Sequence, residues 1–138
     1  MKLWSLPAAF FAVAVMLASA TAAENATPAI SYFRRLHMPL PLNWLYGDKL
    51  GDRILRVFDA AYPEYNVTGW LNFVAMHCVD WYYCNTTMVY TVGNGDQKNW
   101  MGVLFQGPHA TQDDFYREQG VGNSIILNRF RTDTASVA

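Results

Sequence analysis

Residues 84–106 read CNTTMVYTVGNGDQKNWMGVLFQ, two alternating segments about a glycine-rich break. From Cys84 to Val92 the side chains alternate. Cys84, Thr86, Met88, Tyr90 and Val92 fall on one face, and Asn85, Thr87, Val89 and Thr91 on the other. Successive side chains of a strand point to opposite sides, so a period of two predicts a β-strand. Gly93-Asn94-Gly95-Asp96 follows, with the Asn-Gly signal of a tight reversal between antiparallel strands. The return strand runs from Asn99 to Gln106, with Met101, Val103 and Phe105 on one face, and Gly107-Pro108 ends it. A hairpin alone is only marginally stable in water, so the flanking sequence must supply the cover for its apolar side chains.

Upstream, Asp48 to Ala61 predicts an amphipathic helix: Leu50, Ile54, Val57, Phe58 and Ala61 form one apolar stripe, Asp48 stands as N-cap after Gly47, and Pro63 stops it. Val67 to Cys78 (VTGWLNFVAMHC) reads as a strand that is apolar on both faces, although Trp70, Phe73, Val74 and His77 also fit a helical spacing. Residues 24–46 read as an extended N-terminal leader. Within it, Pro39 and Pro41 keep 37–43 extended, and Tyr32 to Leu36 forms a short turn of helix. Downstream, Thr111 and Asp114 resemble a capping box that opens a short helix over 112–119, closed by Gly120. A last strand spans Ser124 to Phe130, and 132–138 is a frayed tail. The expected fold is a single α+β domain over 47–131, an N-terminal amphipathic helix packed on an antiparallel sheet of about four strands. In general shape this is similar to cystatin-like and nuclear-transport-factor-like rolls, a likeness that concerns architecture and not function.

The N-terminus supplies an address. Lys2 precedes an uncharged run from Leu6 to Ala20, and small residues crowd positions 18–23. That is the pattern of a secretory signal peptide over 1–23. The apolar run is shorter than the ~20 residues a spanning helix needs, so no transmembrane segment is expected after cleavage. Removing 23 of 138 residues leaves 115, one domain by length. Lys2 is the only charge lost, so the balance becomes 9 basic against 11 acidic residues, or −2. The charges are scattered, and Arg34-Arg35 is the only adjacent basic pair, which argues against a nucleic-acid partner.

In an oxidising compartment Cys78 and Cys84 are expected to pair with each other; pairing between chains or two free thiols are the alternatives. Six steps of straight strand span about 20 Å, so a bridge requires Val79 to Tyr83 to turn. In a secreted eukaryotic protein three sequons, at Asn25, Asn66 and Asn85, mark expected N-glycosylation positions and hence outer surface; the alternative is chance occurrence of so short a pattern.

Trp81, Tyr82 and Tyr83 lie in the segment that the cysteines would close, where aromatic side chains suit contact with a protein or surface ligand; the alternative is packing on their own sheet. His77 reads as a buried, hydrogen-bonded histidine, and a His77–Asp80 acid–base pair lacks a nucleophile motif around it. Asp113-Asp114 reads as helix N-terminal charge. His37, His77 and His109 show no metal-ligand spacing, and neither a metal nor a cofactor is expected. Arg34-Arg35-Leu36-His37 resembles the Arg-x-Leu-Arg translocation motif of oomycete secreted effectors, with His37 in place of the last Arg and without the acidic stretch. That resemblance implies delivery into a host cell. Val103 to Pro108 resembles the cleavage sequence of a picornaviral cysteine protease, and is read as native strand and turn. The expected function is a secreted, non-enzymatic interaction protein, with the oligomeric state open. The alternative is a small-molecule carrier or cofactor-free enzyme, with an apolar pocket between the 48–61 helix and the sheet.

Overall fold

The computed structural model describes residues 27–131. In chain order the strands are β1 (Phe33–Arg35), β2 (Trp44–Tyr46), β3 (Ile54–Ala61), β4 (Cys84–Val92), β5 (Asn99–Gln106), β6 (Phe115–Arg117) and β7 (Val121–Arg129). The helices are α1 (Asp48–Gly51), a single turn, and α2 (Val67–Val79). The expected export signal over 1–23, the sequon at Asn25 and the expected frayed tail over 132–138 lie outside the described residues.

The two strands pair where the sequence puts them, but the tight Asn-Gly reversal is corrected: Asn94 is extended (φ −131°), and residues 93–98 connect the strands through a 3₁₀ turn over Gly95–Gln97. β4 and β5 pair antiparallel with Met88 opposite Val103 and Val92 opposite Asn99. Between them Gly93 has φ +92°, and a Cβ there would lie 2.6 Å from the Gln97 carbonyl oxygen, so only glycine fits the turn. Around the hairpin forms an open five-stranded antiparallel sheet in the order β1-β7-β4-β5-β3. β3 and β4 each run antiparallel to the intervening β5, so they are parallel to each other, and α2 joins them as a split β-α-β unit.

Both faces of the sheet are covered. On one, Trp70, Val74, Ala75 and Cys78 of α2 pack on Val89, Trp100, Leu104, Ile125 and Leu127. On the other, Met88, Tyr90, Val103, Phe105 and Ile126 lie beneath Met38, Leu50, Ala110 and Phe115. Here β2 and β6 form a second, two-stranded sheet. β4 is therefore buried on both sides, and its hydroxyls are satisfied internally: Thr86 donates to Asn128 Oδ1 (2.7 Å) and Thr87 to the Val103 carbonyl (3.2 Å). A bulge between Cys84 and Thr86 turns Cys84 onto the α2 side, away from Met88, with which strict alternation had grouped it.

Several expectations are corrected. The amphipathic helix over 48–61 is absent. It stops after one turn at Gly51, and Ile54–Ala61 is an edge strand. Val67–Val79 is a helix and not a strand. Asn66 caps it, accepting a 2.7 Å hydrogen bond from the Gly69 amide, and Trp70, Val74 and Cys78 recur every four residues on the buried side. The turn expected at Tyr32–Leu36 is a 3₁₀ turn over Ala29–Tyr32 followed by β1. The capping box forms, with the Thr111 amide donating to Asp114 Oδ2 at 2.8 Å, but it opens a 3₁₀ turn over Gln112–Asp114 and then β6, not a helix over 112–119. The last strand starts at Val121, three residues before Ser124. There is a five-stranded sheet and a two-stranded one where a single sheet of about four strands was expected, and the leader over 24–46 contributes β1 to the first and β2 to the second.

Tyr90 gives the core a titration signature. It is buried, and burial raises its phenol well above the ordinary tyrosine value, helped by the neighbouring Tyr46. The folded state therefore holds this proton more tightly than the unfolded chain. The resulting stability is fully present below the unfolded tyrosine value of about 10 and is lost as pH rises beyond it, by at most ~1.4 kcal/mol per pH unit. Thermal melts between pH 9 and 11.5 are expected to show a smaller loss of Tm above pH 10 in Tyr90→Phe than in the wild type. Parallel pH curves would refute this role.

Candidate functional site

The loop after α2 poses a hydrogen-bonding problem. The last carbonyls of a helix have no partner inside it. Here the Arg129 guanidinium, at the end of β7, supplies them. Nη1 donates to the carbonyls of Cys78 (3.0 Å), Trp81 (3.1 Å) and Cys84 (3.2 Å), and Nη2 to that of Val79 (3.0 Å). A cation at a helix C-terminus also meets the negative end of the helix dipole. The loop turns twice on itself, as the Trp81 amide donates to the Cys78 carbonyl (3.0 Å) and the Cys84 amide to the Trp81 carbonyl (2.9 Å). The Cys78–Cys84 disulfide closes it, with Cα atoms 5.2 Å apart. Arg131 donates to the Tyr82 and Cys84 carbonyls and to Asn85 Oδ1, and its guanidinium carbon lies 5.0 Å from the Tyr82 ring centroid.

With the loop backbone tied inward, its aromatic side chains point out. Tyr82 is 71% exposed and Tyr83 63%, their rings edge to face at 5.3 Å, while Trp81 is only 36% exposed. Of the two readings of this trio, contact surface and internal packing, the tyrosines fit the first and Trp81 is divided between them. The loop forms one wall of an open groove of about 790 Å³. The other wall is the β5 exit, Gln106 to His109, with Phe130. Asn85 joins the walls, its Nδ2 donating to the Gly107 carbonyl at 2.8 Å. Arg53 donates to the Pro108 carbonyl at 2.9 Å, and a His109 ring nitrogen lies 2.8 Å from the Arg129 carbonyl oxygen.

The remaining candidates are dispersed. Arg34 and Arg35 are exposed on the edge strand β1, with the Arg34 guanidinium 4.3 Å from the Phe130 ring centroid. Leu36 is tied into the fold: its amide donates to the Ile126 carbonyl at 2.9 Å and its side chain packs on the second core, while the His37 carbonyl accepts from Gln112. His77 is not the buried, hydrogen-bonded histidine expected: it is half-buried between the rings of Phe58 (4.7 Å) and Phe73 (4.8 Å), and its side chain makes no hydrogen bond, to Asp80 or to any other of the described residues. Asp114 caps its turn, and Asp113 beside it is exposed. Val103–Gln106 lies within β5, between β3 and β4. The apolar pocket expected between a 48–61 helix and the sheet has no helix to wall it, and Trp70, Val74, Trp100 and Leu104 fill the layer beneath α2. Among the described residues no three His, Cys, Asp or Glu side chains come together as a metal site, and no helix is long and apolar enough to cross a membrane.

Arg129 and Arg131 escaped sequence reasoning. Their spacing was the available signal: two residues apart in an extended segment, they project to the same side. What they hold was not visible, because Cys78–Cys84 reaches them only through the β4–β7 pairing.

No family model matches the chain, and no curated protein or solved structure shows significant similarity to it.

Proposed function

We propose that this chain is an exported binding protein that takes an extended segment of a partner protein into the groove between the aromatic loop and the 106–109 turn. One observation carries the reading: two adjacent tyrosines, 71% and 63% exposed, stand on a loop whose backbone is already fixed by a disulfide and two arginines. Such preorganisation lowers the ordering cost of association, and exposed tyrosines are frequent binding hot spots. The Cys78–Cys84 bridge and the uncharged N-terminal run support export into an oxidising compartment. α2 laid on an open antiparallel sheet supports the analogy with cystatin-like and nuclear-transport-factor-like rolls, which bears on shape alone.

The test is to pan a phage-displayed random-peptide library against the secreted, disulfide-intact protein. Enriched peptides are expected to lose about 30-fold in affinity for Tyr82→Ala/Tyr83→Ala, equivalent to ~2 kcal/mol, while the Tm of that variant stays within a few degrees of wild type. Absence of enrichment, or binding that survives the double substitution, refutes the placement.

A further inference from the structure

We infer that Asn66 is an N-glycosylation acceptor in a eukaryotic secretory pathway and that Asn85 is left bare. The physiological meaning of this rests on the export reading above; the chemistry rests on two side chains. The reaction joins Asn Nδ2 to the anomeric carbon of an oligosaccharide carried on a polyprenyl diphosphate. The bond from that carbon to the diphosphate oxygen breaks, the diphosphate lipid leaves, and Nδ2 gives up one proton. The amide oxygen is not consumed. Transfer takes place on the extended nascent chain, so the fold acts afterwards as a filter: a molecule reaches its folded, secreted form with a glycan only where the native structure leaves Nδ2 and the room around it free.

At Asn66 the fold uses only the oxygen. Oδ1 accepts from the Gly69 amide at 2.7 Å as the N-cap of α2, and Nδ2 has no hydrogen-bond partner among the described residues. Asn66, Val67 and Thr68 are all exposed, so the whole sequon faces water. A glycosylated amide keeps its oxygen and hence its cap. At Asn85 both ends are engaged: Nδ2 donates to the Gly107 carbonyl at 2.8 Å, and Oδ1 accepts from Arg131 at 3.1 Å. The side chain is half-buried and bridges the two groove walls, so a sugar on Nδ2 would have to part them. The two positions also differ in consequence. Asn66 caps the N-terminus of α2 and the aromatic loop follows its C-terminus, about 20 Å away along a 13-residue helix. A glycan on Asn66 leaves the groove open.

The experiment secretes the protein from cultured eukaryotic cells twice, once behind its own residues 1–23 and once behind an unrelated signal peptide. Site occupancy is read by enzymatic deglycosylation in heavy-oxygen water and peptide mass spectrometry. Expected is modification of Asn66 in more than half of the secreted molecules and of Asn85 in a small minority. Thr68→Ala, which destroys the sequon but keeps the Asn66 cap, should abolish the glycan at Asn66 without lowering Tm by more than a few degrees. Asn66 unmodified, or Asn85 modified in most folded molecules, overturns the inference. If the unrelated signal delivers Asn66-glycosylated protein and residues 1–23 deliver none, the export reading fails while the inference about the acceptors stands.

Discussion

Arg129→Met is expected to destabilise the protein by about 3 kcal/mol and to make the 79–83 loop the first site of proteolytic cleavage. Four carbonyls, those of Cys78, Val79, Trp81 and Cys84, accept from this one guanidinium. Hydrogen bonds to a charged group contribute roughly 1.5–3 kcal/mol each, and the total falls short of their sum because the loop can open and let water replace some of them. In a domain of this size 3 kcal/mol corresponds to a fall in Tm of roughly 12–20 °C. Arg129→Lys should recover less than half, since an ammonium is a point donor and cannot span four acceptors as a planar fork does. The disulfide remains in both variants, so the comparison separates the two fasteners. An Arg129→Met protein that melts within 2 °C of the wild type would mean that the bridge alone holds the loop. The same variant bears on binding: loosened tyrosines pay an ordering cost on association, so peptide affinity is expected to fall even though no contact residue has changed.

The residues that misled and those that informed differ in how much of their environment is local. Cys84–Gln106 was legible because alternation and a glycine-rich turn agree, and both are properties of neighbouring residues. The cysteine pairing was legible because the chain has two cysteines behind an expected export signal, and two thiols in an oxidising compartment tend to pair. Ile54–Ala61 failed because it is an edge strand with partial cover. Its burial is irregular, with Val57 48% exposed, and a sparse apolar pattern of that kind imitates a helical stripe. Gly51-Asp52 marked the true break in that segment. Val67–Val79 failed for the opposite reason. Its core side packs on the sheet and its flank carries Phe73 against Phe58 and Tyr65, so the segment is apolar almost all round and its period is blurred. The deciding local signal was Asn66, whose role as a helix cap was obscured by its role in a sequon. Of the candidate site, the tyrosines were legible as aromatic residues in a stapled loop. The groove was not, because its second wall arrives from β5 and β7 by strand pairing.

Gly102→Val is expected to cost about 3 kcal/mol, and the loss should be repaired in part by shrinking the residue above it. Gly102 lies in β5 directly under α2. A Cβ built there would sit 2.5 Å from Val74 Cγ2, 3.2 Å from Val74 Cγ1 and 3.4 Å from Trp70 Cζ2. The obstacle is contact alone, because the φ of Gly102 is one that any residue adopts. A glycine inside a strand often marks such a close approach. Val74 is fully buried and, being β-branched, has few rotamers in a helix, so it cannot swing aside. Overpacking of this kind costs roughly 1–3 kcal/mol; Gly102→Ala belongs in the lower part of that range and Gly102→Val at its top or above. Val74→Ala alone leaves a void and should cost about 2 kcal/mol. In Gly102→Ala/Val74→Ala the new methyl enters the space the old ones left, so the double variant should be at least ~1 kcal/mol more stable than the sum of the two losses. Urea denaturation at constant m-value measures the cycle. Strict additivity would mean that the helix rises off the sheet as a body when Gly102 grows. The end of α2 would then rise with it, and Gly102→Ala would disturb the Arg129 contacts at Cys78 and Val79. A coupling confined to Val74 leaves those contacts, and the exposure of the two tyrosines, unchanged.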